Sequence, residues 1–427
     1  MTDTFLVGGK TWLVTRSEAS QSDQSKYGTY NSGGTDDLLM QVTTLTPSLK
    51  NNMIKIYTLG GGRSYKMVVP GKLEVSASFE YNIQNGQFFK YALGTVSAGA
   101  ASCVKNFDAA TITGTPTAAL KSYACTEADV LDSFSSKVYM ISDATTADQV
   151  DTYVGCKVNQ LNIKSDAENP LKGSVDILAQ TVSSVMGTQA APTTVAYKDI
   201  PSMFYNGQLL IGAGYRGTGT GTASTMTDSL GTGTGWTTSQ WITDYVLIDI
   251  TGVAFAISAS TAAGVLTVTG TPATGEYVIT PKSSLTTAQV IQCNSVDQTI
   301  TQNLEAYWAI ANTTGRGMRF AYEKMREYSL SLDLNFTNAD QLGRFYNGLT
   351  SGTSPATTTP YPPFMVVVDY KTALADGDAY KAMRLVYSDV VFDESSVPVD
   401  PKDIIKQTVK AFAKHLNVYY ITSESQS

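Results

Sequence analysis

Apolar and polar residues alternate along several segments of the chain, a pattern that predicts β-strands with one buried face. The alternation is clear in Lys72–Tyr81, imperfect in phase in Lys157–Lys164, and cleanest in Ser329–Phe336. Strands of this kind bury one face in a core and present the other to water or to a partner. The chain is therefore predicted to be mainly β.

Helical spacing of apolar residues occurs in few places. Asn338–Leu349 follows a predicted strand and opens with Asn338, a favourable N-cap, and then Asp340. Pro401–Leu416 also spaces apolar residues for one helical face, and either ends as a helix or runs into a strand at Asn417–Thr422.

Parts of the chain resemble each other in order, which predicts an internal duplication. Asn52–Arg63 resembles Asn303–Arg316, and each has an Asn, an alternating strand and a Gly-containing turn into Arg. Leu73–Gly94 resembles Tyr328–Gly348, each an amphipathic strand followed by a short helix with paired aromatic residues. The weaker matches are Cys156–Ile163 with Met383–Val390, Val175–Val182 with Ile404–Val409, and Phe204–Ile211 with Val418–Ile421. Chance similarity between strands of one composition is the alternative.

An insertion separates the two similar parts. Gly214–Gly235 is rich in Gly-Thr dipeptides and is predicted to be a flexible loop, and it lacks the Gly-Lys-Ser/Thr of a phosphate-binding loop. Trp241–Pro281 predicts a small β-subdomain, in which Trp236 and Trp241 either cap its own core or anchor a neighbouring subunit. Tyr245–Val268 is too polar for a membrane span and is predicted to form two strands. The predicted division is residues 1–211 with an insertion at 95–152, residues 212–300, and residues 301–427.

Composition removes several classes of function. Charged residues are 16% of the 427, and the net charge is −7, so the chain lacks the basic excess of a protein that grips nucleic acid by its phosphates. His415 is the single histidine, which excludes a multi-histidine metal site. Four cysteines lack C-x-x-C spacing and are expected to be buried thiols, although a Cys103–Cys125 disulfide stays open. Met1–Lys10 does not have the pattern of a signal peptide.

No constellation of residues points to catalysis. Glu74 with Glu80, or Asp376 with Asp378, could be called a carboxylate pair, but neither is predicted to be buried with a partner that separates the two pKa values. The chain is predicted not to be an enzyme and to hold no metal or cofactor.

Taken in order, these features resemble the tail tube proteins of tailed phages and archaeal viruses. The resemblance covers most of the chain except Thr95–Thr152 and Gly214–Val296. The segments that carry it are Lys26–Thr29, Leu73–Gly94, Val154–Val158, Leu161–Ile163, Gly173–Thr181, Asn303–Glu305, Gly315–Arg316 and Arg326–Asn347.

The resemblance implies duplicated tail-tube β-sandwich or barrel domains with short flanking helices and an inserted β-subdomain. It implies self-assembly into stacked rings of three or six chains, three being favoured by the duplication. The tube would belong to the virion tail, be made in the host cytoplasm, and meet a terminator, a baseplate or tip, and a tape measure or sheath protein. DNA would pass through without specific binding. The alternative is another self-assembling β-rich protein: a surface-layer protein, an adhesin, or a capsid or baseplate component.

The resemblance also gives the acidic balance a meaning, because a conduit for DNA should repel phosphate. Acidic side chains on or beside the polar faces of the predicted strands are candidates to line the lumen, and ordinary solvated charges or salt-bridge partners are the alternative. Lys72, Lys164 and Lys172 argue against a uniformly negative wall. The candidate lumen acids are Glu74, Glu80, Asp166, Glu168 and Asp333.

Overall fold

The computed structural model describes most of the chain. The described residues are 6–18, 27–30, 38–39, 42–57, 64–84, 86–99, 102–112, 119–142, 148–167, 169–188, 201–203, 207–283, 289–309, 315–336, 339–355, 363–371, 381–398 and 405–423. As predicted, they are mainly β with short helices.

The elements are numbered in chain order. The strands are β1 Leu6–Ser17, β2 Leu38–Leu39, β3 Val42–Ile56, β4 Met67–Asn82, β5 Gly94–Ala98, β6 Lys121–Glu127, β7 Phe134–Ser142, β8 Gln149–Asp166, β9 Lys172–Ala179, β10 Thr181–Met186, β11 Gly207–Gly212, β12 Tyr215–Thr222, β13 Thr225–Asp228, β14 Tyr245–Asp249, β15 Ala254–Ser260, β16 Val265–Val268, β17 Gly275–Pro281, β18 Gln289–Ile291, β19 Cys293–Thr301, β20 Glu305–Tyr307, β21 Phe320–Tyr322, β22 Glu327–Asn335, β23 Phe364–Lys371, β24 Ala382–Ser396, β25 Lys406–Ala413 and β26 His415–Thr422. The α-helices are α1 Phe89–Leu93 and α2 Asp340–Asn347.

The strands predicted from alternation bury their apolar residues in the core. Val75, Ala77 and Phe79 of β4 are buried, and so are Leu330 and Leu332 of β22. The imperfect phase of Lys157–Lys164 has a structural cause, because a β-bulge in β8 lies between the partners of β9 and shifts the alternation by one residue. All three predicted strands are confirmed.

Antiparallel pairing joins most strands into a bent sheet with three regions. The central sheet has the order β3-β4-β9-β8-β19-β22-β25-β24. The first flanking sheet has the order β2-β1-β7-β8-β10, and the second has the order β18-β11-β23-β24-β26-β6-β5. The long strands β8 and β24 each run from a flanking sheet into the central sheet. One apolar core lies between the central and flanking sheets.

The same arrangement of strands occurs twice along the chain. β3 pairs with β4, β4 with β9, β9 with β8, and β8 with β7 and β10, while β1 pairs with β7 and β2. In the same order, β19 pairs with β22, β22 with β25, β25 with β24, and β24 with β23 and β26, while β11 pairs with β23 and β18. Helix α1 lies against β8, and α2 lies against β24.

Local irregularities repeat as well. Gly155 in β8 and Asp389 in β24 both have positive φ, 63° and 54°. The next strand returns past each of them with one backbone hydrogen bond, from Gln180 N–H to the Val154 carbonyl and from Lys414 N–H to the Ser388 carbonyl. Asp389 adopts a conformation that favours glycine, which indicates that the surrounding sheets impose this bend.

The inserted β-subdomain is confirmed as a closed barrel of β12, β13, β16, β15, β14 and β17. Trp236 and Trp241 are buried in the barrel's own core, which confirms the first of the two interpretations. Tyr245–Val268 contains three strands, not two, because Gly252 and Gly264 each allow a turn with positive φ.

Two other expectations were wrong. Gly214–Gly235 is not a flexible loop, because its first part forms the β12–β13 hairpin of the barrel. Its glycines allow close packing: a Cβ on Gly221 would lie 2.0 Å from the Pro272 carbonyl oxygen. Within the predicted helix Pro401–Leu416, the residues from Lys406 onward instead form β25 and the start of β26, since Val409 and Ala411 of β25 alternate inward against the central sheet. The alternative strand at Asn417–Thr422 is confirmed as part of β26, and residues 401–404 lie outside the described residues.

The helix predicted at Asn338–Leu349 is confirmed as α2. Ala339 occupies its N-cap position with no side-chain hydrogen bond. Asn338, the predicted cap, lies outside the described residues.

Candidate functional site

The central sheet has one face packed on the core and one polar face. Alternate residues of its strands turn to the polar face, and cross-strand pairing aligns them in rows. One such row contains Asp166 of β8, Ser295 of β19, Asp333 of β22 and Thr408 of β25. Another row contains Asp176 of β9. The polar side chains share one surface because pairing in register keeps residues of like orientation opposite each other.

Four of the five candidate acids lie on this face. Glu74 and Glu80 are in β4, Asp166 is at the end of β8, and Asp333 is in β22. Glu168 lies outside the described residues. Thus residues that are far apart in the sequence are brought onto one sheet surface.

Basic residues neutralise some of these acids. Lys72 Nζ lies 2.8 Å from Glu74, and Lys50 Nζ lies 3.5 Å from it. The hydrogen bond from Lys72 holds the pKa of Glu74 below its usual value. Lys164 Nζ lies 3.9 Å from Asp166. The face is therefore mixed in charge, in agreement with the lysines noted in the sequence.

Sequence reasoning missed several acids that lie on the same face. Asp176 pairs opposite Gln160 and Ser78, Asp297 opposite Lys164, and Glu327 opposite Thr301. Alternation within each strand could have identified them, because each of these acids lies an odd number of residues from the buried apolar residues of its strand. Glu394 of β24 also lies there, 2.6 Å from Lys410 Nζ.

Both ends of the central sheet are open edges in the described part of the chain. β3 is paired on one side only, with β4, and the segment Val391–Ser396 of β24 is paired on one side only, with β25. Unpaired edges present rows of N–H and C=O groups that can accept a further strand. The polar face therefore ends on two surfaces suited to strand addition.

The join between the two repeated arrangements lies in the middle of the central sheet. There β8 pairs with β19 from Gln160↔Thr301 to Asp166↔Ser295. The short hairpin β20–β21 packs beside this join, and its Glu323 forms an ion pair with Lys157 of β8 at 2.5 Å. Burial lowers the pKa of Lys157, and Glu323 opposes that effect. The join is thus a sheet pairing reinforced by a hairpin.

Among the residues that the structure describes, no group of His, Cys, Asp and Glu side chains could hold a metal ion. His415 Nδ1 lies 2.9 Å from Glu127, which also accepts a hydrogen bond from the Leu416 N–H. Cys103, Cys125, Cys156 and Cys293 are all free thiols. Neither α1 nor α2, nor any other helix among the described residues, is long and apolar enough to span a membrane.

Comparison with known proteins identifies a family. A family model described as phage tail tube protein matches residues 18–410, nearly the whole chain. A search of curated proteins found no match.

Proposed function

Because the chain belongs to the phage tail tube protein family, we propose that copies of it assemble into stacked rings that form a hollow tube for genome delivery into the host cell. The family is one of structural proteins of the virion tail and not of enzymes. The observation that carries the assembly is the central sheet, whose polar face ends on two unpaired strand edges. Joining these edges between chains would close the sheet around a channel and remove the exposed edges.

We further propose that each chain contains two copies of the tube unit and that three chains close one ring. The support is the repeated strand pairing, with β1–β4 and β7–β10 forming the first copy and β11, β18–β19 and β22–β26 the second. This division differs from the sequence-based one, since β11 passes to the second copy and β7 is part of the first copy instead of an insertion. The barrel β12–β17 is then an insertion within the second copy.

The size of the channel favours three chains over six. Eight strands from each of three chains, about 4.8 Å apart and tilted by about 40°, give a barrel of about 50 Å diameter between backbones. Six chains would give about 100 Å by the same geometry. A ring of three chains already leaves room for side chains and a nucleic acid duplex, so the wider channel of six chains is not needed.

The polar face would line the lumen and keep the genome sliding. Glu74, Glu80, Asp166 and Asp333 would then repel phosphates, with Glu168 as a further candidate outside the described residues. At the ends of the tube we expect terminator and baseplate or tip proteins, with a tape measure protein inside or a sheath outside. Synthesis in the host cytoplasm fits this assignment.

Electron microscopy of the purified chain at high concentration tests the assembly. Hollow rings or tubes whose ring mass equals three chains would support the proposal, and flat two-dimensional sheets would instead favour a surface-layer protein. For the lumen, Glu80→Lys with Asp333→Lys should make assembled tubes retain DNA at low salt, whereas the exposed Asp129→Lys should not. Equal DNA retention by both variants would refute the lumen assignment.

A further inference from the structure

The two repeated arrangements differ in how much of their surface is covered. We call the hairpin β20–β21 the second arm, and the distal part of the β3–β4 hairpin, residues 50–57 and 65–72, the first arm. They occupy equivalent places, because Asn52 and Asn303 each donate a side-chain hydrogen bond to the opposite strand, to the carbonyls of Lys72 and Met325. The second arm packs on the first copy, where Lys157 Nζ contacts the Phe320 ring, whereas the first arm leaves apolar side chains exposed.

Equivalent residues show the difference directly. Ile300 of β19 is fully buried, while its counterpart in β3, Leu49, is 57% exposed. Ala321 of the second arm is fully buried, while its counterpart in the first arm, Val68, is 37% exposed. At these two positions the first copy therefore exposes an apolar side chain where the second copy buries one. The exposed apolar residues of β3 and the first arm are Leu49, Met53, Ile54, Ile56, Tyr57, Tyr65, Met67 and Val68.

Two side-chain contacts lie beside the join, one at the buried Lys157 and one at Lys72, whose side chain is 48% exposed. In the first, Lys157 of β8 pairs with Glu323 beside the second arm, and its Nζ lies 4.2 Å from the centre of the Phe320 ring. In the second, Lys72 Nζ lies 4.2 Å from the centre of the Trp308 ring. Each contact joins one residue of an arm's hairpin to one residue of the surface that receives it.

At the equivalent positions both partners of each contact change together. Lys157 corresponds to Val391, which is 40% exposed, and Glu323 corresponds to Pro70 of the first arm, so the ion pair is replaced by two apolar residues. Lys72 corresponds to Met325 and Trp308 to Tyr57, both of them exposed, so a cation–π contact is replaced by a methionine and an aromatic ring. Matched replacement at both partners indicates that these two surfaces meet.

Within one chain the two surfaces lie at opposite ends of the central sheet, so they meet only between chains. We propose that the first arm and β3 of one chain dock on the Val391–Ser396 edge and on Met325 of a second copy, and thereby repeat the β8–β19 join between chains. This inference rests on the proposed ring assembly and assigns its contacts. The occupant is a second copy because the chain itself contains the template of the contact.

The β8–β19 pairing also predicts the register of β3 against β24 of the neighbouring chain. Thr301 pairs with Gln160 in the join, and the corresponding residues are Lys50 and Glu394. Lys50 would therefore stand opposite Glu394 of the neighbouring chain, where the opposite charges favour pairing. Two positions further along each strand, Ser48 would stand opposite Ser396, as Thr299 stands opposite Asn162.

Cysteine pairs test this register in assembled protein. Directly opposite residues of antiparallel strands lie within the range of Cα distances that a disulfide spans. Ser48→Cys with Ser396→Cys should give chains linked covalently on oxidation, in a ladder that ends at three. Ser48→Cys with Ser395→Cys, which shifts one partner to the other face, should give at least tenfold less product. Tyr57→Cys with Met325→Cys tests the arm in the same way.

A matched control separates the two proposals. Thr299→Cys with Asn162→Cys occupies the equivalent positions inside one chain and should form an intrachain disulfide at any concentration. If microscopy shows rings or tubes and this control closes while neither interchain pair links chains, the docking inference is wrong and the tube assignment stands. If the unmodified chain forms no rings or tubes at high concentration and no interchain pair links, both are wrong.

Discussion

Replacement of Leu49 by Ala should weaken assembly without weakening the fold of the single chain. Full burial of a leucine side chain is worth about 1.5–3 kcal/mol, and Leu49 has 57% of its surface left to bury. Each joint between chains would therefore lose about 1–1.7 kcal/mol. Over the three joints of a ring the loss is about 4 kcal/mol, or about a thousandfold in the equilibrium constant.

The concentration at which half of the chains are in rings is the quantity to measure. For three chains that form one ring, this midpoint varies as the inverse square root of the equilibrium constant, so Leu49→Ala should raise it about thirtyfold. Sedimentation or mass photometry over a dilution series gives the midpoint. Urea unfolding of the dilute chain should change by less than about 0.5 kcal/mol, as for other exposed sites.

Ile300→Ala is the matched control at the equivalent, fully buried position. It should lower the free energy of unfolding of the dilute chain by about 2–5 kcal/mol. A midpoint for Leu49→Ala within twofold of the unmodified chain would refute the reasoning, and so would equal losses of unfolding free energy in the two variants.

Three further predictions concern the body of the chain. Arg384 is fully buried, and its Nε lies 2.6 Å from Asp369. Arg384→Met should lower the free energy of unfolding by about 3–5 kcal/mol, because a buried carboxylate loses its partner. A urea midpoint within error of the unmodified chain would contradict this. Burial raises the pKa of Cys125 to about 12 and holds that of Cys156 well above its usual value, so a thiol reagent at pH 8 should modify both only after unfolding, and rapid labelling of either in the native chain would count against the structure. Burial alone would raise the pKa of Glu127, but the hydrogen bonds it accepts hold that pKa below its usual value. Its ionisation therefore stabilises the fold above the unfolded pKa of about 4.3, and this stability is lost as pH falls through the lower folded pKa. Glu127→Gln should thus melt at a lower temperature than the unmodified chain at pH 7, with the gap narrowing below about pH 4, and a gap independent of pH would exclude this account.

Local patterns were enough where one face of a strand meets the core. The strands around Val75 and Leu332 follow from alternation alone, because burial of every second residue is a local property of the sequence. The helix at Pro401–Leu416 was wrong because Val409 fits the inward positions of a strand as well as those of a helix. The neighbouring strand β22 decides between them, and the sequence pattern does not contain that neighbour.

Matches between distant segments were reliable only where an unusual residue anchored them. Asn52 and Asn303 were matched correctly, and both make the same hydrogen bond in the structure. The later match of Cys156 with Met383 fails, since the bends at Gly155 and Asp389 place Cys156 at the position of Val390. Strands of similar composition give no register of their own, and only the ladder fixes it.

The candidate acids were found because alternation predicts which side chains share a face. Which faces then join into one surface depends on the strand order of the central sheet, and that order was not predictable from local patterns. This is why Asp176 and Asp297 were missed although they lie on the same face as Asp166.

The exposed first arm has a consequence for chains that never find a partner. In a free chain, the apolar side chains of Met53, Tyr57 and Met67 are exposed next to an unpaired strand, where proteases and chaperones can bind them. Docking would bury the same residues, so assembly itself would protect a chain from degradation. Surplus chains would be cleared without a separate signal, and the supply of subunits would be regulated by the assembly that consumes them.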